Sequence, residues 1–268
     1  MSGPVVVKVG GSALEAGGDD LWSAIASAAA RTPLVLVHGG GAAVDERLGA
    51  HGFTSERVGG LRLTPPEQIG IVAGALAGEM NTAVVSKLNA LGGRAVGMTL
   101  IDGGQNLCIN AGLAENDRVG RVTDVSVEGR GDSLFGLLLG SGFLPVVASI
   151  GADDGGLLNI NADDAAEAVA VGLRASRLVL LSDVAGVLDA RGERVSSIDS
   201  EAIDELVARG VVTGGMEAKV RAAARASEGL GGPVVIASWE DAAAVLSGGS
   251  GSGTIVNGAR EAAAPGDA

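Results

Sequence analysis

Apolar positions in this chain fall into short β-branched runs, separated by longer segments in which apolar and polar residues recur with helical spacing. The run from Pro4 to Val9 reads as a buried strand that stops at Gly10 and Gly11, and Asp19 to Ala30 reads as a helix with acidic residues in its first turn. The unit then repeats: Leu34 to Val37 is a strand that runs into His38-Gly39-Gly40-Gly41, and Ala42 to Ala50 is helical. Pro65-Pro66 opens a long helical pattern through Leu88, since proline is tolerated in a first turn, and Ala95 to Ile101 is the next strand. Strand-turn-helix units with glycines at the strand exits predict an α/β fold. Its sheet is mostly parallel, covered by helices, and gathers ligands at the carboxyl ends of its strands.

The middle has a different texture. Between Asp102 and Glu128, short alternating runs such as Asn106 to Ile109 and Gly120 to Val125 predict hairpins. A helix from about Asp132 to Leu139 leads to a strand from Leu144 to Ser149 and a turn at Asp153 to Gly156. Regular alternation then resumes. Helices are expected from Asn161 to Leu173, Asp199 to Arg209 and Met216 to Glu228, with strands at Arg177 to Asp183 and Pro233 to Ala237. Gly248 to Gly253 resembles a linker, Thr254 to Val256 reads as a final strand, and the tail from 258 to 268 is expected to be disordered. No internal repeat is present.

Composition narrows the function classes. Hydrophobic residues make up 47% and charged ones 19% of the 268, and every stretch of about 18 apolar residues is broken by charges or several glycines, so no membrane span is expected. Met1 to Val9 lack the basic start and apolar core of a secretory signal, and a single cysteine, Cys108, excludes a disulfide framework within the chain. A cytoplasmic location is the resulting expectation. A net charge of −13 speaks against nucleic acid, which is bound through basic surface. Arginine preference, acid surplus, 45 glycines and no tyrosine fit either coding bias or adaptation to salt. Only three of the 19 basic side chains are lysines, Lys8, Lys87 and Lys219, so each invites a reason.

Several motifs are absent. No G-x-x-x-x-G-K-[ST] occurs and no G-x-G-x-x-G follows the first strand, which excludes the P-loop and dinucleotide fingerprints; two histidines and one cysteine give little support to a zinc site. His38-Gly39-Gly40-Gly41 resembles a lipase oxyanion run, but no G-x-S-x-G is present and both histidines precede where that fold needs one. What remains is a set of glycine turns able to present N–H groups to an anion, phosphate above all, with two isolated lysines. Lys8 interrupts an apolar strand, either as a snorkelling edge lysine or as a cation for that anion. Lys219 lies early in a helix, where the helix dipole disfavours it unless an anion is near; the alternative is a solvated helix face. Asn159-Ile160-Asn161-Ala162-Asp163 joins a strand to a helix and is equally readable as an N-cap with first-turn acids. Arg62, before the Pro-Pro helix start, is on local grounds a surface arginine, although a guanidinium there could hold a carboxylate. Cys108 and His51 read as structural.

Together these pieces resemble the amino-acid kinase family. The resemblance rests on Lys8 to Gly11, Val37 to Gly41, Gly60 to Thr64, Asn159 to Asp163, Leu181 to Leu188, Gly214 to Met216 with Lys219, and Ile236 to Trp239, in family order to about Val256. It implies a three-layer αβα sandwich around an open, mainly parallel eight-stranded sheet. A lobe over 1–174 would bind an acyl amino acid and a lobe over 175–257 would bind ATP. The branch resembled phosphorylates the side-chain carboxylate of N-acetyl-L-glutamate, using ATP and Mg²⁺ held mainly by the ATP phosphates. The resemblance implies that Lys8 and Lys219 act on the transferring phosphoryl group, with Asp163 organising both ammonium groups. Gly10, Gly11, Gly40 and Gly41 would supply N–H donors, and Arg62 and Asn159 would hold the substrate's α-carboxylate and acetamido group. Asp183, Val184, Ala185, Gly186, Val187 and Leu188, with Val211, Val212 and Thr213, would line the nucleotide. Because the first strand starts by Pro4, the sequence resembles the arginine-insensitive kind, expected to be a homodimer. The alternatives within this resemblance are a kinase for a carrier-linked glutamate or aminoadipate, which net −13 does not favour, and a non-catalytic sensor of nucleotide or amino acid.

Overall fold

The structure, a computed structural model, describes residues 3–104, 108–123, 133–248 and 252–258. The expected hairpin positions Asn106, Leu107, Asp124 and Val125, the helix start at Asp132, part of the Gly248 to Gly253 segment and the tail beyond Gly258 lie outside the described residues.

β1 (Val5–Val9) is followed by a short helix α1 (Gly11–Ala16) and by α2 (Asp19–Ala29). β2 (Leu34–His38) leads through Gly39 and Gly40 into α3 (Gly41–Ala50), and a small hairpin of β3 (Arg57–Val58) and β4 (Leu61–Arg62) follows. The long helical run is α4 (Pro66–Ala73), a π-helical segment (Gly74–Met80) and α5 (Asn81–Ala90). The middle holds β5 (Ala95–Thr99), β6 (Cys108–Asn110), β7 (Val119–Val122), α6 (Leu134–Gly140), β8 (Leu144–Ala148), β9 (Ile150–Asp153) and β10 (Gly156–Ile160). The chain continues with α7 (Ala162–Gly172), β11 (Arg177–Ser182), β12 (Ser197–Asp199) and α8 (Ser200–Ala208). It closes with α9 (Gly214–Leu230), β13 (Val234–Ser238), α10 (Ala242–Leu246) and β14 (Thr254–Asn257).

Eight strands form one sheet in the order β12-β14-β13-β11-β1-β2-β8-β5, parallel throughout except where β13 meets β14. Its central strands are buried on both faces, which is why they read as unbroken Val and Leu runs. Alternation divides them between two cores. Val5, Val7 and Val9 join Leu21, Ile25 and Leu88 on one side, whereas Val6, Leu178 and Leu180 join Ala166, Val169 and Val220 on the other. That is the expected layering, with α2, α5 and α10 over one face and α7 and α9 over the other. A smaller cluster of Val44, Leu48, Val72, Leu76 and Ile150 supports the region beyond β2.

The middle folds as predicted by its texture, into a four-stranded sheet ordered β6-β7-β10-β9, in which only β7 and β10 run parallel. Two features depart from the sequence reading. The Pro66–Ala90 run is long and apolar enough to cross a membrane by length and composition, which the charge and glycine criterion had not registered. In the fold it is a packed element, with Val72, Leu76, Val84 and Leu88 buried beneath it. Its regular α pattern is also broken by the π segment.

Candidate active site

A cavity of about 250 Å³ opens where β1, β2 and β10 end. Lys8 reaches it because strand alternation turns this side chain, like Val6, toward the α7 side, one residue before β1 stops. Its Nζ lies 2.9 Å from Asp163 Oδ1, with the lysine side chain only 13% exposed. Asp163 is fixed by the start of α7: Asn161 Oδ1 accepts the N–H groups of Asp163 at 2.8 Å and Asp164 at 3.3 Å, so the N-cap is real and sets the carboxylate in place. Lys219, on α9 packed against α7, faces the same charges. Burial pushes its ammonium below the ordinary lysine range and the Lys8 charge adds to this, while Asp163 and Asp183 pull the other way. Two cations around one carboxylate leave room for an anion, which would relieve both effects on Lys219.

Backbone donors converge on the same place. α1 and α3 both begin at the cavity, and a Cβ on Gly11 would lie 3.5 Å from Gly41 N, so the two glycine corners nearly touch. The N–H groups of Gly11, Gly40 and Gly41 have no acceptor among the described residues. Gly10 differs, because its N–H donates to Leu181 O at 3.2 Å, and what it offers is space under Lys8 Nζ.

Arg62 also lines the cavity, buried at 8% exposure although it sits on a small surface hairpin. Its Nη1 donates to Asp45 Oδ1 and Ser55 Oγ, and its Nη2 donates to Gly41 O at 2.9 Å. Asn159 on β10 donates from Nδ2 to Thr64 Oγ1 at 3.0 Å, and that hydroxyl donates to Arg62 O at 3.0 Å. Thr64 N–H donates to Asp117 Oδ1 at 2.6 Å. Val44, Leu76, Val119 and Ile160 give the cavity an apolar wall. Asp45, Ser55 and Asp117 were not singled out from sequence, where each reads as an ordinary polar residue, and Thr64 entered only as the last residue of the Gly60 to Thr64 segment, with no role of its own.

His38, the first residue of the glycine run, is fully buried beneath it. Its Nδ1 faces Gly39 O at 2.8 Å and must therefore donate; its Nε2 lies 3.0 Å from Asn81 Nδ2 and accepts. This is the neutral imidazole, in keeping with burial that lowers its pKa. Cys108 and His51 are structural, as expected: the thiol is packed over Gly151 and pushed up to about 11 by burial, and His51 Nδ1 pairs with Arg47 O at a helix end.

The cavity gathers Lys8, Gly10, Gly11, Gly40, Gly41, Arg62, Asn159 and Asp163. It does not extend to Lys219, Asp183 to Leu188 or Val211 to Thr213. Asp183 follows β11, whose Leu181 pairs with Val9, so this loop leaves the sheet beside the Lys8 strand. The side chains of Val187 and Val212 are buried in the core, and any ligand contact from them is through backbone. Gly186 has φ near +138°, and a Cβ there would strike Thr254 N and Arg194 as well as Thr254 Oγ1, so the loop needs this glycine.

The model for the amino acid kinase family matches residues 3–238. The chain is 44% identical over 242 residues to the acetylglutamate kinase of Colwellia psychrerythraea, covering 88% of this chain and 89% of that one. To the acetylglutamate kinase of Moritella profunda it is 42% identical over 245 residues, 90% of each. Among solved structures, the smu.665 protein of Streptococcus mutans superposes with a TM-score of 0.76 at 29% identity, over 94% of this chain and 98% of that one.

Proposed function

The chain belongs to the amino acid kinase family, and from that premise we propose that it transfers the γ-phosphoryl group of ATP to the side-chain carboxylate of N-acetyl-L-glutamate, giving N-acetyl-L-glutamyl 5-phosphate, a step of arginine biosynthesis. The observation that carries the reading is the charge lining one cavity. The Lys8–Asp163 pair and the Arg62 guanidinium both line it, together with the apolar side chains of Val44, Leu76, Val119 and Ile160. This suits a small dicarboxylate whose amino group is acylated and uncharged. Free glutamate would bring an ammonium into a lining whose carboxylate, Asp163, is already engaged by Lys8.

The acceptor is ionised at neutral pH and needs no general base, so the work is to hold two anions in line and neutralise charge at the moving phosphoryl group. Lys8 and Lys219 take that charge, and Asp163 keeps the two ammonium groups apart and aimed. Gly11, Gly40 and Gly41 donate N–H groups to the phosphoryl oxygens and the reacting carboxylate, and Gly10 lets Lys8 lie close to the backbone. Arg62 holds the α-carboxylate and Asn159 the acetamido group. Asp183 to Leu188 and Val211 to Thr213 line the nucleotide. A division near 174 into an acyl amino acid lobe and a nucleotide lobe is supported by the strand order, in which β11 to β14 lie on one side of β1 and β2, β8 and β5 on the other. Mg²⁺ would be carried on the ATP phosphates rather than by a cage of protein side chains. When bound there, the ion supplies further charge neutralisation.

The enzyme acts in the cytoplasm as a homodimer. Support for the dimer comes from β5, which ends the main sheet with one edge unpaired among the described residues, and from Gly70, Gly74 and Gly78, spaced along one exposed face of the helical run beside it.

The test is release of ADP from ATP and Mg²⁺ with N-acetyl-L-glutamate, compared with free glutamate, aspartate, carbamate and UMP. Turnover with acetylglutamate alone is expected. ATP binding without turnover on any of these would instead favour a carrier-linked substrate or a sensor.

A further inference from the structure

We infer that Asp45 is a positioning residue: it pins the β3–β4 hairpin to α3 and so aims the Arg62 guanidinium at the substrate's carboxylate, an inference that rests on the acetylglutamate reading above. Asp45 lies one turn into α3, on the face that carries Gly41. Its Oδ1 accepts from Arg62 Nη1 and its Oδ2 accepts from Arg57 Nη2, the latter at 2.9 Å. The hairpin is a two-stranded sheet joined to neither larger sheet, and Arg57 to Gly60 within it are exposed. Among the described residues its hydrogen bonds to α3 come from these two arginines, with Asp45 and Gly41 O as their acceptors.

Both guanidinium tips approach the start of the helix: a Cβ on Gly41 would lie 3.7 Å from Arg57 Nη2 and 3.8 Å from Arg62 Nη2. Two cations and the positive end of a helix dipole would repel one another there without the single carboxylate between them. That carboxylate is charged at every working pH, held at about 2 chiefly by its hydrogen bond from Arg62. Arg62 has five N–H groups. Two on Nη1 go to Asp45 and Ser55, and one on Nη2 goes to Gly41 O, so Nε–H and one Nη2–H remain without an acceptor among the described residues. Those are the donors left for a ligand carboxylate, and their direction is set by the three bonds already made.

Asp45→Asn keeps the shape and removes the charge. Positioning predicts a KM for acetylglutamate raised about ten- to a hundredfold, the range found when a partner that orients a ligating group is lost. kcat stays within about threefold, the KM for ATP is unchanged, and Asp45→Glu recovers part of the loss. In an Arg62→Lys background, Asp45→Asn adds little further, because the geometry it maintained is already gone. Amide exchange across residues 55–62 quickens in Asp45→Asn. If Asp45→Asn does not fold, Arg57→Gln removes the other half of the tie and is expected to raise the same KM by a smaller factor. A carboxylate that merely offset charge would give the opposite sign, since its removal adds attraction for a dianion. An unchanged or lowered KM, with unchanged exchange in the hairpin, overturns the inference. Failure of the wild-type chain to turn over acetylglutamate overturns the functional reading instead, and exchange in the hairpin still decides whether Asp45 holds it.

Discussion

An ammonium group one residue from the end of a buried strand carries a desolvation cost that a fixed partner must offset; Lys8 has that partner in Asp163, and Lys219 has none at contact distance among the described residues. The two lysines therefore separate in their effect on stability. Lys8→Ala and Lys219→Met both keep the fold, by circular dichroism, and both lose on the order of 10² to 10³ in kcat, the scale of removing one transition-state charge partner. Wild-type turnover in either would refute the assignment. Lys219→Met is expected to melt at a higher temperature than wild type at pH 7, because it removes a cation that burial penalises. The sign with pH follows. The unfolded chain binds a proton at Lys219 up to about pH 10.5, whereas the folded chain releases it earlier, so this group's contribution to stability rises with pH through that window and is absent from Lys219→Met. These residues were legible because each contradicts its local pattern: a charge in an apolar strand, a cation early in a helix. Asp45, Thr64 and Asn81 contradict nothing nearby. Their meaning lies in partners 17, 95 and 43 residues away, Arg62, Asn159 and His38, and local spacing carries no trace of such contacts.

At the level of elements, the strand-turn-helix units were readable because sheet burial and glycine exits write strong patterns. The β3–β4 hairpin was not, since two-residue strands have no period to detect. The π segment was missed for a different reason: Gly-Ala-Leu-Ala-Gly-Glu-Met is an ordinary helical sequence, and its altered winding accompanies contact with the glycine loop. A Cβ on Gly40 would come within 3.0 Å of Leu76 Cδ2 and 3.3 Å of Met80 Cγ, both on that segment. Helix and loop are thus in register at the site, a usual setting for π turns. Gly40→Ala must push Leu76 and Met80 back by a few tenths of an ångström or tilt its own N–H. Steady-state kinetics should show kcat falling about tenfold or more, with only a few degrees lost in melting temperature. Adding Leu76→Ala to Gly40→Ala should recover part of the turnover, and no recovery would mean that the two do not press on each other.

For the molecule as a whole, a net charge of −13 gives self-repulsion that salt screens. Melting temperature is expected to rise as KCl is increased from about 0.1 to 1 M, where the screening length falls from ~10 to ~3 Å; a flat response would leave the acid surplus as coding bias. The order of the sheet has a further consequence, in time as well as in space. β1 pairs with β2 on one side and with β11 on the other, so its second edge has no partner until Ser182 has been synthesised. At typical translation speeds that is roughly ten to thirty seconds, during which a Val-rich strand stands open to wrong pairing. One charge interrupts that strand. Lys8, proposed above to act on the phosphoryl group in the finished enzyme, is also the one charge that would oppose wrong pairing of this edge while the other half of its sheet is still being made.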